Sequence, residues 1–145
     1  MATRAFVAVA LFAAACTTPP AGPPRLAPYA DCAHPPSPDQ VHQGLQGPSR
    51  GGTAVALLFS EVPMKAGDEQ KIVWRVTGTG PIRIFATGPA AQVVQPVWGP
   101  EEHGGSTFAY PGGEWGVGFR FTAPGCWTVH VARDDVEGSL SLPVT

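Results

Sequence analysis

Gly113–Thr145, GEWGVGFRFTAPGCWTVHVARDDVEGSLSLPVT, carries the strand pattern from which the fold class can be argued. From Val117 to Phe121 the pattern alternates, with Phe119 and Phe121 on one side and Arg120 on the other. A Pro124-Gly125 turn follows. Then Trp127, Val129 and Val131 share one face, with Cys126, Thr128 and His130 on the other. Leu140, Leu142 and Val144 alternate with Ser139, Ser141 and Pro143. An apolar/polar period of two is the mark of a strand with one face on a core and one in water. Proline inside such a pattern lacks a ladder donor and points to a sheet edge.

Upstream, the same reading continues. Ala54 to Phe59 is apolar on both faces. In Lys71 to Thr77, Ile72, Trp74 and Val76 oppose Val73, Arg75 and Thr77. Ile82 to Phe85 returns, and Gln92 to Val97 adds a short piece. Turn signals separate these runs at Lys65–Glu69, Gly78–Pro81 and Gly88–Pro89. The spacing predicts an all-β domain over residues 51–145: an Ig-like antiparallel Greek-key β-sandwich of about seven strands. The Gly99–Gly116 stretch shows no period and is expected to be a long loop, a kind of segment that is often functional. Its flanking aromatics and histidine, Trp98, His103, Tyr110 and Trp115, form a candidate binding loop for a protein or glycan ligand, because aromatic rings supply contact area at low entropy cost. The competing reading is that these aromatics pack in the core or anchor the loop.

The composition agrees with one exported domain. The chain has 145 residues, 43% hydrophobic and 14% charged, with 18 Gly and 17 Pro. That suits many short strands joined by turns, together with a Pro-rich tail. The net charge of −2 and the lack of a basic cluster argue against nucleic acid as a partner.

At the N-terminus, MATRAFVAVALFAAAC places Arg4 before an apolar run, Ala5 to Ala15, that ends at Cys16. The run is too short to span a bilayer and reads as an export signal over residues 1–15. Ala14-Ala15-Cys16 resembles a bacterial lipoprotein signal, in which the cysteine is lipidated and becomes the new N-terminus. Ala13 stands where leucine is usual. Ala13-Ala14-Ala15 also fits ordinary secretion. Residues 16–50 form the second region, and Thr17 to Ser49 holds nine of the prolines. Thr17 to Pro28 reads as an extended spacer behind a lipid on Cys16. Pro36 to Asp39 reads as a turn, and Val41 to Gly47 as a helical turn.

Three cysteines leave one unpaired in an oxidising compartment. With Cys16 carrying lipid, Cys32 and Cys126 remain as a pair, or as two free thiols. Cys126 lies opposite the Trp127 face. A bond to Cys32 would therefore clamp the N-terminal segment on the outside or edge of a sheet, unlike the buried inter-sheet bridge of antibody domains.

Catalytic signatures are sparse. Ser106 in Gly104-Gly105-Ser106-Thr107 lacks the closing glycine of a nucleophile elbow. His34, His42, His103 and His130 are scattered without metal-ligand spacing. Convergence of Glu101, Glu102, His103 and Glu114 on a cation is the weaker alternative to a solvated loop. No catalytic residue, metal or cofactor is expected.

Trp74-Arg75-Val76-Thr77-Gly78, Trp98-Gly99-Pro100, His103-Gly104-Gly105-Ser106, Glu114-Trp115-Gly116, Gly118-Phe119 and Pro124-Gly125-Cys126-Trp127 together resemble a group of bacterial exported proteins and lipoproteins without assigned activity. These have an Ig-like C-terminal half ending in a Gly-Cys-Trp strand, and an upstream cysteine near the mature start. The resemblance implies a sandwich, export and a disulfide. Gly112-Gly113, Phe119-x-Phe121 and Gly125 also resemble the end of chagasin-type cysteine-protease inhibitors, but that family's Asn-Pro-Thr-Thr-Gly and Arg-Pro-Trp loops are absent. The expectation is a monomeric, non-catalytic binding or envelope-structural module, held to the extracytoplasmic side of a bacterial membrane by lipid on Cys16. The alternatives are a secreted protease inhibitor or, third, a metal-binding protein.

Overall fold

A computed structural model of the protein describes residues 27–145. The export signal, Cys16 and the spacer up to residue 26 lie outside the described residues. Among the described residues nine strands are present: β1 (Ser49–Arg50), β2 (Ala54–Leu58), β3 (Glu69–Val76), β4 (Ile82–Thr87), β5 (Val93–Val94), β6 (Trp98–His103), β7 (Gly113–Arg120), β8 (Gly125–Arg133) and β9 (Val136–Val144). They form two antiparallel sheets, ordered β2-β3-β7-β6 and β1-β9-β8-β4-β5. The chain changes sheet after β1, β3, β5 and β7. With β1 set aside, this is the A-B-E-D on G-F-C-C′ order of an Ig-like Greek-key sandwich.

The core follows the alternation. Ile72, Trp74 and Val76 from β3, Trp115, Val117 and Phe119 from β7, Trp127, Val129 and Val131 from β8, and Leu140, Leu142 and Val144 from β9 all point inward and are buried. Phe121 tilts against Trp127 with ring centres 5.1 Å apart. The Trp127 indole donates to the Ala123 carbonyl at 2.8 Å, so the ring is buried with its polar atom satisfied. In antibody domains a cysteine pair occupies the inner faces of the strands equivalent to β3 and β8. Here those faces present Trp74 and Trp127, and Cys126 points outward into solvent.

Cys126 is bonded to Cys32 across a sequence separation of 94. The bond holds a strap, residues 27–48, along the side of the sandwich where β2 and β9 are both near an edge. Ala30 donates to the Gln46 carbonyl, and Leu45 exchanges both backbone bonds with Ala56 of β2. The chain then crosses to β9, where Ser49–Arg50 pairs with Glu137–Gly138. Ala30, Val41 and Leu45 belong to the core, so the folded unit begins well before residue 51. The helical turn lies earlier than Val41–Gly47: it is α1 (Pro38–Val41), entered through Ser37 and Pro38. Proline at the first helical position and the Gln40 side chain reaching back to the Ser37 N–H at 3.0 Å set this start.

Pro143 sits where its missing donor costs least. Its carbonyl accepts from Met64 N, so its nitrogen also faces away from β8, beyond the end of two-residue β1. At the other edge of the fold, β6 carries Pro100, Glu101 and Glu102, residue types that block addition of a foreign strand. Among the described residues, no helix is long and apolar enough to cross a membrane.

Candidate functional site

The two outer faces differ. On the β4-β8-β9 face, Thr128 and Ser141 share a hydrogen bond of 2.7 Å, and Thr87 meets His130 at 2.8 Å. Phe85 stacks on His130 at 4.8 Å. Burial there pushes the His130 imidazole below the usual histidine range. This is the polar face expected of a solvated antiparallel sheet.

The opposite outer face is built in rows fixed by the strand register. Val55, Arg75, Glu114 and His103 align in the first, and Leu57, Val73, Gly116 and Glu101 in the second. Lys71, Gly118 and Trp98 make the third, with Glu69 and Arg120 beyond them. Four apolar or neutral positions at the centre of a solvent-facing surface need a cover.

The first row is covered by the loop 104–112. Beneath it, Arg75 and Glu114 form an ion pair at 2.9 Å, with Glu114 only 5% exposed. Ser106 also hydrogen-bonds the Glu114 carboxylate, and Arg75 donates to the Gly112 carbonyl at 3.0 Å. Phe108 and Tyr110 then fold down over Val55, which is buried, and over Gly44 of the strap. The Tyr110 hydroxyl donates to the Gln43 carbonyl at 2.8 Å. A side chain at Gly44 would meet both rings, so the glycine is what allows the strap to pass under them.

The third row is covered by Trp98. Its indole lies on Gly118, where an added Cβ would collide with the ring nitrogen. That nitrogen donates to Glu69 at 2.7 Å. His103 leans over Gly116 in the same way. Two glycines on β7 therefore make a shallow channel that rings from β6 fill. On the other side of this row, the Lys71 ammonium sits 4.6 Å over the Phe59 ring, which is 53% exposed.

The Leu57–Val73 half of the second row is left open. Leu57 and Val73 form the floor of a groove of about 420 Å³, walled by Phe59 and Lys71 on one side and by His103, Gly104 and Phe108 on the other. Glu114 and Ser106 lie at its inner end.

This arrangement corrects the expected Gly99–Gly116 loop. The stretch contains strand β6 and the start of β7, and only residues 104–112 connect them. Trp115 is not a loop residue: it faces the core at 5% exposure, with the Arg133 guanidinium 4.3 Å over its ring. The inward parity of Phe119 and Val117 simply continues to Trp115, and the glycines between them hid it. Trp98 is a half-buried cover held by Glu69, and Tyr110 is a half-buried anchor for the loop. His103 lines the groove. Leu57, Phe59, Lys71, Val73 and Phe108 escaped the sequence reading. Apolar runs on both faces of Ala54–Phe59 were the one available signal.

Glu102 points to the opposite side of β6 from Glu101 and His103, and Glu114 is committed to Arg75. Among the described residues, no group of three or more His, Cys, Asp or Glu is placed to hold a metal ion. No family model matches the chain, and no curated protein matches it.

Proposed function

We propose that the protein is a lipid-anchored, extracytoplasmic, non-catalytic binding module whose ligand occupies the groove over Leu57 and Val73. One observation carries the reading. An outer sheet face with an apolar centre is closed by the loop 104–112 at one end and by Trp98 at the other, and is open between them. The loop and strap hold the walls in place before any ligand arrives, which reduces the ordering cost of binding. A binding rather than a catalytic role is supported by Glu114 and Ser106: both are engaged in the ion-pair network at the groove's inner end. The sequence supports the tether: a short apolar segment ends at Cys16 and a Pro-rich spacer comes after it.

The test is site-specific photo-crosslinking in intact envelopes. A photoreactive residue at Phe59 is expected to give a discrete adduct, and one at Ser139 on the opposite face none. Equal labelling from both positions, or none from Phe59, removes the groove as the binding surface.

A further inference from the structure

We propose that the groove takes a small amphipathic monocarboxylate, its apolar chain lying on Leu57 and Val73 and its carboxylate on the Lys71 ammonium. The inference rests on the binding reading above and adds the chemical class of the ligand.

Size gives the first argument. A groove of about 420 Å³ falls at the lower end of small-ligand sites, roughly 300–1,000 Å³. The second is its surface. Leu57, Val73, Phe59 and Phe108 give it an apolar floor and walls along which a flexible chain can lie.

The third argument is the balance of donors and acceptors. The groove's one carboxylate, Glu114, already accepts from Arg75 and Ser106. Its cation, Lys71, forms no ion pair among the described residues. Stacking over Phe59 holds that ammonium at the groove wall. The backbone at Gly104 has open space around it and lines the same groove. The unpaired ammonium beside a carboxylate already engaged favours a ligand that brings acceptors, so an anion fits better than a cation. A single lysine on the wall of an apolar groove matches one charged head with one chain.

The test is calorimetric titration of the full chain, in lipid nanodiscs where it carries lipid and against empty discs, with sodium octanoate and separately with 1-octanol. Octanoate is expected to bind one-to-one and more tightly than octanol. Lys71→Gln is expected to weaken octanoate about five-fold, the effect of one partly screened ion pair, and to leave octanol unchanged. Leu57→Asp is expected to abolish both, with a melting curve run alongside to show that the variant is folded. Equal binding of acid and alcohol, or octanoate binding indifferent to Lys71→Gln, overturns the proposal. So does the absence of octanoate binding at millimolar concentration. If octanoate fails while Phe59 still crosslinks selectively, the ligand class alone is wrong. If both fail, the binding reading falls with it.

Discussion

Replacing Glu114 with Gln tests the ion pair that holds the loop over the sheet. The variant keeps the shape and removes the charge, leaving Arg75 without its counter-ion at 2.9 Å. Removing one partner of a fully buried pair costs about 3–5 kcal/mol, because the other charge stays desolvated. Arg75 retains the Gly112 carbonyl, and its side chain is 18% exposed, so water partly compensates. Discounting for that exposure gives about 2–3 kcal/mol. An unfolding entropy near 2.1 cal/mol/K per residue, over roughly 120 residues, converts this to a fall in Tm of about 8–12 °C. Calorimetry reads the Tm, and amide exchange at 104–112 reports whether the loop lifts first. The double variant Arg75→Met with Glu114→Leu should recover most of the loss, since a buried pair exchanged for apolar side chains is often neutral. A Glu114→Gln melting point within about 2 °C of the parent would refute the reasoning, showing that water solvates the pair and that the loop does not seal it.

Three further outcomes are expected. The Cys32→Ser/Cys126→Ser double variant should lose up to about 4–5 kcal/mol, as the chain-entropy model gives for a separation of 94; matching melting curves with and without the disulfide would contradict this. His130, whose pKa is depressed by burial, binds its proton more readily in the unfolded chain. Its contribution is complete above the unfolded value near 6.5 and declines as pH falls below that, so stability should drop on acidification through pH 6 and His130→Gln should flatten the slope; an unchanged slope in that variant assigns the titration elsewhere. The intact, non-reduced mass of the chain from bacterial membranes should correspond to a start at Cys16 with added lipid and one disulfide, and a Cys16 start without lipid would make the protein a diffusible one.

How much of this was legible beforehand depends on what each residue has beside it. The inward rows of β8 and β9 are legible in the sequence from Trp127 to Val131 and from Leu140 to Val144, because large apolar and small polar side chains alternate without a gap. The outward direction of Cys126 followed from the same parity. The pattern failed between Gly99 and Gly116 because Gly116 and Gly118 have no side chain to report a face, while Gly99 and Pro100 interrupt β6 at a register shift. Gly116, at the end of the stretch expected to be a loop, and Gly118 are clearances for the His103 and Trp98 rings.

Local pattern suffices for the class of fold, the phase of the long strands and the outward direction of Cys126, since strand periodicity is a local property set by alternating Cβ directions. Tertiary structure alone decided that Trp115 is core and Trp98 a cover, that the strap passes beneath Tyr110, and that Leu57 and Val73 share an open groove with Lys71. Parity tells which face a side chain takes, but not what lies across from it. That depends on the register between β2, β3, β7 and β6, and register is fixed by contacts between residues far apart in the chain.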